Sequence, residues 1–332
     1  MRLAEFLSQR GHGVAIVCRK GDLLQSECAR QGLPCYPVQF GMDFSPVTIR
    51  LFWELFTIHQ TDILITNISK EFRTAGIAAV LKGIPHINRI GAVGDLRMTV
   101  KTRILYSVFV DAVFVPSQSL FDFFAQYRFL RPKLRMFHNA MSVPEFCEKQ
   151  NPVTRFAVVA KLSQRKQVDK VIQVFHRIPD LPWELHIGGV GPELESLWAL
   201  TRHLSLEQQV FFTGKKINPY EFLQDKDVGI LYSTSEGLSN ALLEYMAMSC
   251  AVIASNVDGT PEVITPDVDG LLVDPQNLVD LEQAIRLLIT QPQRRRSLAR
   301  QGYSTIRQHF NRDVIFPRIE AELHQLIQSI HR

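Results

Sequence analysis

Short apolar runs alternate with amphipathic segments along almost the whole chain. The runs are rich in Val, Ile, Ala and Phe, and the segments between them have the apolar spacing of helices. Nearly continuous apolar strands that alternate with helices indicate parallel sheets covered on both faces. The predicted strands are residues 14–18, 35–38, 63–66, 86–90, 112–115 and 134–137 in the first half, and 156–160, 183–187, 210–213, 228–233, 251–255 and 271–273 in the second.

The two halves of the chain predict two α/β domains. Residues 144–152 have a linker composition, and the tail from 278 onward predicts two or three helices without a strand. A doubly wound domain normally begins with a strand, but residues 2–10 predict a helix, and a further helix is predicted near 22–31. We therefore expect two doubly wound Rossmann-like domains, the first lacking its first strand. The expected boundaries are 1–148, 149–310 and a C-terminal helix, 311–332, which could pack back on the first domain.

Composition and charge narrow the class of protein. The 332 residues are 46% apolar and 21% charged, as in soluble globular proteins. Residues 1–150 hold 18 Lys and Arg against 12 Asp and Glu, whereas the remaining residues hold 19 against 21. A modestly basic first half fits an anionic substrate or an anionic membrane surface, and it lacks the dense basic runs that would favour nucleic-acid binding. Its candidate membrane-facing cations are Lys101, Arg103, Arg128, Arg131 and Lys133, for which a solvated helix face is the simpler interpretation.

The cysteines and the lengths of the apolar runs indicate the cellular compartment of the protein. Five cysteines, an odd number without a C-x-x-C pair, fit a reducing compartment better than a disulfide scaffold or a zinc site. No apolar stretch is long enough to span a membrane, and the first residues do not read as a signal peptide. We expect a cytoplasmic protein, with peripheral contact at the inner face of the membrane left open.

One strand–turn–helix stretch, residues 228–248, carries two acids in suggestive positions. Glu236 lies in the polar turn after the strand, and Glu244 lies in the second turn of a predicted helix that starts near Ser239. Free backbone N–H groups at a helix start favour anions such as phosphate, so the pattern suits a nucleotide-sugar site. The competing interpretation is a solvated turn acid followed by an ordinary acid on a helix surface.

Three further loops follow predicted strands of the second half. The first, residues 161–166, holds three cations that could neutralise a diphosphate, although a solvated basic turn is a simple alternative. The second, 188–193, contains Gly189 and Gly191, which allow close backbone approach but equally fit a tight turn. The third, 256–262, enters a predicted helix at Pro261. Because ligands of open α/β sheets bind beyond the carboxyl ends of strands, the four loops together favour one site for anions and hydroxyls.

In this order of motifs, residues 154–290 resemble the donor domain of glycosyltransferase family 4, the retaining group 1 enzymes of GT-B architecture. The motifs that carry the resemblance are the basic loop from Lys161 to Lys166, Gly189-Val-Gly-Pro192, Glu236 and Glu244 with seven residues between them, Asp258-Gly-Thr-Pro-Glu262 and Asp269-Gly-Leu-Leu-Val-Asp274. The first half is similar more loosely, through Gly11-His-Gly13, residues 111–117 and residues 137–140. The resemblance implies two Rossmann-like domains facing a cleft.

The resemblance also implies a role for each candidate site residue. Glu244 would accept hydrogen bonds from the ribose hydroxyls, and Glu236 would approach the transferred sugar. The backbone N–H groups of Gly237, Leu238 and Ser239 would assist, and the loop that contains Gly189 and Gly191 would also contact the donor. Lys161 and Lys166 would stabilise charge on the leaving diphosphate. No metal or other cofactor is expected, because two lysines are in place for that work.

The chain departs from the family pattern at several positions. Lys161 stands where Arg is usual, Gln167 where Gly is usual, and near Gly91, where the family has a histidine, the nearby charged residue is Arg89. His12, His86 and His138 have no spacing that suggests a metal site or a triad. The resulting hypothesis is a retaining glycosyltransferase that moves a sugar from a nucleotide-sugar donor to a glycan, lipopolysaccharide or glycolipid. The alternatives are a non-catalytic relative that binds a sugar nucleotide or a partner protein, and another GT-B enzyme such as a sugar-nucleotide epimerase or a phosphorylase.

Overall fold

A computed structural model describes residues 1–21, 24–39, 45–67, 69–215 and 217–330 of the chain. They form two units, one made of Met1–Ala140 with Asp313–Arg332 and the other of Met141–Arg312. Residues 22–23, the start of a predicted helix, and residues 331–332, the end of the predicted C-terminal helix, lie outside the described residues.

The first unit begins on a helix and then alternates strands with helices, as the apolar pattern predicts. Its elements before the chain passes into the second unit are α1 Arg2–Gln9, β1 Ile16–Arg19, α2 Leu24–Arg30, β2 Cys35–Val38, α3 Pro46–Ile58, β3 Leu64–Thr66, α4 Ser69–Lys82, β4 His86–Arg89, α5 Val100–Phe109, β5 Ala112–Val115, α6 Gln118–Ala125 and β6 Leu134–Met136. β1 and β2 form a parallel pair, and β3-β4-β5-β6 form a four-stranded parallel sheet.

The second unit contains a six-stranded parallel sheet. Its elements are β7 Thr154–Val159, α7 Val168–His176, β8 Trp183–Gly188, α8 Leu194–His203, β9 Val210–Phe212, α9 Pro219–Leu223, β10 Val228–Leu231, α10 Asn240–Ala247, β11 Ala251–Ser255, β12 Leu271–Val273, α11 Leu278–Thr290 and α12 Pro292–Thr305. The strand order is β12-β11-β10-β7-β8-β9. The chain builds outward from β7 to β9 and then returns to place β10 on the other side of β7, which is the doubly wound order.

Strand side chains of the second unit divide between two apolar cores. Phe156, Val158, Ile230 and Ile253 belong to one core, while the alternating neighbours Ala157, Leu231, Val252 and Ala254 belong to the other. Successive side chains of a strand point to opposite faces, so a strand buried on both faces must be apolar at every position. This is why the apolar runs predict the strands of this unit so closely.

Two helical predictions have different outcomes. The tail beyond residue 278 forms three α-helices, the last being α13 Arg312–Ile330, with a π-helical stretch, Ile306–Phe310, before it. The helix predicted from Pro261 is wrong, because only a single 3₁₀ turn, Thr260–Glu262, forms there. Pro266 disfavours helical backbone at the residue before it, and this ends the segment early.

Candidate active site

The carboxyl ends of β7 and β10 are neighbours in the middle of the second unit's sheet. The two strands pair at Val228 with Phe156 and at Gly229 with Ala157. The chain leaves β7 into the basic loop, residues 160–167, and leaves β10 into the loop that precedes α10. The winding direction reverses between these strands, so the following loops lie where open α/β sheets bind their ligands.

Glu236 is held at this point by cations of the basic loop. The Lys166 ammonium donates a hydrogen bond to Glu236 Oε1, and Arg165 Nη1 lies 3.5 Å from Oε2. The Glu236 backbone N–H donates to Asp258 Oδ2 over 2.7 Å, which ties this loop to the one after β11. The Glu236 residue is 7% exposed, so a solvated turn acid is the wrong interpretation of this position.

The environment of Lys166 sets its electrostatics. Its side chain is 11% exposed. Burial lowers the pKa of the Lys166 ammonium, and the neighbouring Glu236 carboxylate opposes that shift only in part. A partly desolvated ammonium interacts strongly with an incoming anion, because little water screens it.

The basic loop is fixed by backbone contacts as well as by charge. The Thr234 N–H donates to the Arg165 carbonyl over 3.0 Å, and the Arg165 guanidinium donates to the Ser235 carbonyl. Gln167, where the family usually has Gly, has φ 43° and ψ 37°. This left-handed conformation favours glycine, which explains the family preference, and the Gln167 Oε1 atom is buried without a described hydrogen-bond partner.

Helix α10 places the second acid. It begins at Asn240 after Ser239, so Glu244 lies in its second turn as predicted. The Glu244 residue is 7% exposed, and its neighbours Leu243 and Tyr245 are fully buried. An ordinary acid on a helix surface is therefore the wrong interpretation of Glu244. Helix α10 packs closely on β10, since a Cβ atom at Gly229 would lie 2.1 Å from the Tyr245 ring.

Residues 188–193, the glycine loop, contain Gly189 and Gly191 for a structural reason that their spacing in the sequence did not reveal. A Cβ atom added at Gly189 or at Gly191 would lie 2.0 Å from the carbonyl oxygen of Ala160 or of Leu162, respectively. The Leu162 N–H also donates to the Val190 carbonyl over 3.0 Å. The close backbone approach predicted from these glycines is thus an approach of the glycine loop to the basic loop.

The structure brings some candidate residues together and leaves one apart. Glu236 and Lys166 are in contact, and Gly237, Leu238 and Ser239 lie between Glu236 and α10. Lys161 is exposed and has no ion pair or hydrogen bond within the part of the chain that the structure describes. Arg165, rather than Lys161, is the second cation near Glu236, and its place beside Lys166 in the loop was the available signal.

The histidines differ in their surroundings. His86 is a core residue whose Nε2 lies 2.8 Å from Thr66 Oγ1, and burial lowers the pKa of His86 to about 4. His12, Glu320 and His324 lie close enough for one ligand atom of each to fall within 4.8 Å of the others. Sequence spacing could not reveal this group, because His12 is 308 residues from Glu320. Arg10 Nη2 also lies 3.3 Å from Glu320 Oε2, which reduces the negative charge available there.

The comparison with family models gives the class of protein. Residues 146–305 match the family described as glycosyl transferases group 1, and residues 1–143 match glycosyltransferase family 4. The two matched segments together cover nearly the whole chain. The chain belongs to glycosyltransferase family 4, the group 1 glycosyltransferases, as the motif order predicts.

The segments matched to individual relatives cover only part of each relative's length. A lipopolysaccharide core biosynthesis glycosyltransferase, LpsD of Rhizobium meliloti, is 34% identical over 168 residues, which are 50% of this chain and 48% of that protein. An N-acetylgalactosaminyltransferase of Campylobacter jejuni, named for a diphospho-undecaprenol-linked acceptor, is 32% identical over 40% of this chain and 36% of its own. The chain spans about half the length, or less, of the curated relatives it matches.

Solved structures give the fold. A glycosyltransferase from Rickettsia africae has a TM-score of 0.84 at 15% identity, covering 98% of this chain and 93% of its own. HepE of Anabaena in complex with UDP has a TM-score of 0.83 at 17% identity, covering 98% of this chain and 94% of its own. These are GT-B structures, so the α/β fold is that of the GT-B glycosyltransferases.

Proposed function

We propose that the protein is a retaining glycosyltransferase that transfers a sugar from a nucleotide-sugar donor to a glycan, lipopolysaccharide or glycolipid acceptor. The observation that carries the proposal is the nearly buried Glu236–Lys166 pair at the β7/β10 reversal, with the buried Glu244 on the adjoining helix. The names of the relatives support it, since they act on lipopolysaccharide core or on a diphospho-undecaprenol glycan. HepE, a fold neighbour, has been solved with UDP and with UDP-glucose.

The proposed reaction assigns each group a task. The bond from the anomeric carbon to the donor phosphate oxygen breaks, the acceptor oxygen bonds to the anomeric carbon on the same face, and the acceptor proton passes to the departing phosphate. Lys166, with Lys161, stabilises the negative charge that grows on the leaving diphosphate. Arg165 adds positive charge beside Glu236.

The remaining groups hold the donor. Glu244 accepts hydrogen bonds from the ribose hydroxyls, and Glu236 faces the transferred sugar. The backbone N–H groups of Gly237, Leu238 and Ser239 assist Glu236. The loop that contains Gly189 and Gly191 also contacts the donor, and the contacts of Gly191 and Val190 with Leu162 hold it against the basic loop. This assignment needs no metal ion or cofactor.

A donor panel tests the activity. The chain is incubated with UDP-, GDP- and ADP-sugars, with release of the nucleoside diphosphate as the readout and calorimetry for donor binding. Turnover with one nucleotide class is expected, and neither binding nor turnover with any of them would exclude the proposal. Binding without turnover would favour the non-catalytic alternative, whereas an isomerised donor sugar without transfer would favour an epimerase.

Two variants test the site within the same assay. Glu244→Gln should mainly weaken nucleotide binding, because it removes negative charge from the ribose contact. Lys166→Ala should lower turnover more than affinity, because its charged partner grows in the transition state. The control is Glu207→Gln, an exposed acid of the same unit. Wild-type behaviour of both site variants would contradict the assignment.

We also propose peripheral contact with an anionic membrane surface through α5. Val100, Ile104 and Val108 are 78%, 58% and 55% exposed and recur every four residues, so they form one apolar stripe. The exposed cations Lys101 and Arg103 accompany them, a combination that suits the headgroup region of anionic lipids. In the part of the chain that the structure describes, no helix has the length and apolar character needed to cross a bilayer.

Lys133, one of the candidate membrane-facing cations, makes hydrogen bonds within the first unit instead. The Lys133 ammonium donates to the carbonyl of Val110 over 2.6 Å and to those of Tyr106 and Ser107, at the end of α5. The membrane proposal therefore rests on the α5 stripe and not on Lys133.

Flotation with phosphatidylglycerol vesicles tests the membrane contact. The vesicles should capture the wild type, and serine at all three positions of the α5 stripe should abolish capture. Serine at Val47, which is 79% exposed on α3, is the control, and equal capture of all variants would contradict the proposal.

A further inference from the structure

A cavity lies within the first unit, at the carboxyl edge of its four-stranded sheet. Its volume is about 250 Å³. It is lined by residues that follow or end the strands β3, β4, β5 and β6, among them Asn67, Arg89, Gly91, Pro116 and Asn139. The carboxyl edge of a parallel sheet is where α/β folds bind ligands, so the cavity has the position of a binding site.

Arg89 is the charged group that distinguishes this cavity. It is the last residue of β4 and is partly buried. Two aromatic rings, those of Phe114 and Phe137, also line the cavity, with their centroids 4.9 Å apart. A guanidinium in such surroundings has lost part of its hydration, and its five N–H donors require acceptors.

The residues whose side chains the structure describes offer no acceptor to Arg89. None of their carboxylates lies within ion-pair distance of Arg89, and its guanidinium makes no hydrogen bond with them. Asp95 lines the same cavity, but its Oδ2 atom accepts from the N–H groups of Gly91 and Ala92 over 2.9 and 2.8 Å. Burial lowers the pKa of Arg89, and no neighbouring carboxylate offsets that effect. A partly buried cation without a partner among these side chains is expected to have one in the ligand.

We infer that this cavity binds an oxyanion of the acceptor, a phosphate or carboxylate group that the Arg89 guanidinium holds in a bidentate contact. The planar guanidinium matches both anions, which present two oxygens in one plane. A cavity of this volume has room for one such group, and the Phe114 and Phe137 rings at its wall lower the local polarity around the contact. The inference rests on the proposed transferase function, to which it adds that the acceptor is anionic.

The test measures anion binding separately from donor binding. The full chain is first saturated with whichever of UDP, GDP and ADP it binds, so that the donor diphosphate site is filled, and is then titrated with inorganic phosphate or malonate by calorimetry. The wild type should bind at least one of these anions saturably, and the one bound more tightly identifies the anion class. Arg89→Gln should weaken that binding at least tenfold, while Arg89→Lys, which keeps the charge but loses the fork, should lie between them.

Controls separate the two sites and the two proposals. Arg128→Gln, at an exposed arginine of the same unit, should leave anion binding unchanged. Arg89→Gln should leave binding of the nucleoside diphosphate unchanged, and its thermal unfolding followed by circular dichroism, which reports on both units, should match that of the wild type. If none of UDP, GDP and ADP binds, the transferase proposal fails. Anion binding that still depends on Arg89, measured in a Lys166→Ala background so that Lys166 does not hold the anion, would then show that the anion site exists without it. Absence of anion binding in the wild type, or equal binding in Arg89→Gln, would overturn the inference.

Discussion

Lys166 and Glu236 form an ion pair within the second unit. Both side chains are nearly buried, and each presents a charge that the other neutralises. Pairing of this kind is costly to break from one side, because the remaining charge stays buried without a partner. The same pair is well placed to respond to a diphosphate, which offers Lys166 an alternative anion.

A double-mutant cycle tests the pair through stability. Lys166→Met should reduce the free energy of unfolding of the second unit by about 3–5 kcal/mol, because it leaves Glu236 buried beside only the half-exposed Arg165. The double variant Lys166→Met, Glu236→Gln should recover at least half of that loss. Urea unfolding provides the measurement, and Lys161→Met, at an exposed lysine, should stay within about 0.5 kcal/mol of wild type. Additive effects of the two substitutions would show that the side chains are not coupled.

Gln167 has backbone strain that a glycine would relieve. Its left-handed φ of 43° costs a non-glycine residue about 1–2 kcal/mol, whereas glycine adopts it freely. Gln167→Gly should therefore leave the second unit as stable as wild type or stabilise it by up to about 1 kcal/mol, measured as the melting temperature. The matched control is Gln173→Gly within α7, which should lose about 1 kcal/mol. An equal loss at both positions would mean that the strain at Gln167 is compensated.

At the scale of elements, strands were more predictable than loops. Ala112–Val115, Ala251–Ser255 and Leu271–Val273 have the bounds that the apolar runs predict, because both faces of these strands are buried. The strand–turn–helix pattern also placed Glu236 in the loop after β10, Glu244 in the second turn of α10 and the basic loop after β7. This much of the fold and of the candidate site could be predicted from local patterns.

The rest depended on contacts between distant segments. The sequence shows three cations in the basic loop but not that Arg165 turns toward Glu236 while Lys161 stays exposed, since loop backbone angles decide this. The purpose of Gly189 and Gly191 was ambiguous because their neighbours, the carbonyls of Ala160 and Leu162, belong to another loop. The buried state of Glu244 follows from how α10 packs, which helix propensity does not specify.

The contact between the glycine loop and the basic loop can be tested at Gly191. An alanine there would place Cβ 2.0 Å from the Leu162 carbonyl oxygen, and neither backbone can move without disturbing a strand end. Gly191→Ala should lower the free energy of unfolding of the second unit by at least about 2 kcal/mol, a value typical of overpacked sites. Donor affinity should fall as well, because the basic loop shifts. Gly94→Ala, where no atom lies within 4 Å of the added Cβ, is the control, and a wild-type result at Gly191 would contradict the loop contact.

At the scale of the whole molecule, the chain enters the first unit twice. It leaves at Ala140 and returns at Asp313, so that the last helix, α13, completes a unit that the first 140 residues begin. Ile315, Phe316 and Ile319 of this helix belong to the same core as Phe6 and Ile87. Polar contacts join the same segments.

Those polar contacts anchor α13 at two points. Arg135 Nε donates to Glu322 Oε1 over 2.7 Å, and His12 Nε2 lies 2.7 Å from Glu320 Oε1. The hydrogen bond from His12, followed by that from Arg10, lowers the pKa of Glu320, so this carboxylate is a charged partner of both residues. The first unit is therefore a unit of structure but not a continuous segment of sequence.

Removal of α13 should consequently unfold the first unit while sparing the second. Ile315, Phe316, Ile319 and Leu323 are 2–6% exposed, and burying such side chains contributes about 1.5–3 kcal/mol each, so together they are comparable to the whole stability of a domain. A chain that ends at Arg312 should lose the unfolding transition reported by Trp53 fluorescence in the first unit. It should keep the transition of Trp183, because the second unit retains both of its cores.

The comparison that isolates the core contribution is a shorter truncation. A chain that ends at Gln325 keeps Leu323 and both anchoring glutamates, and it loses only the partly buried Leu326 from this core. Its Trp53 transition should shift by no more than a few degrees, since one partly buried leucine contributes at most about 1–2 kcal/mol. If the chain ending at Arg312 unfolded with an unchanged Trp53 transition, α13 would be an appendage of the first unit and not a part of its core.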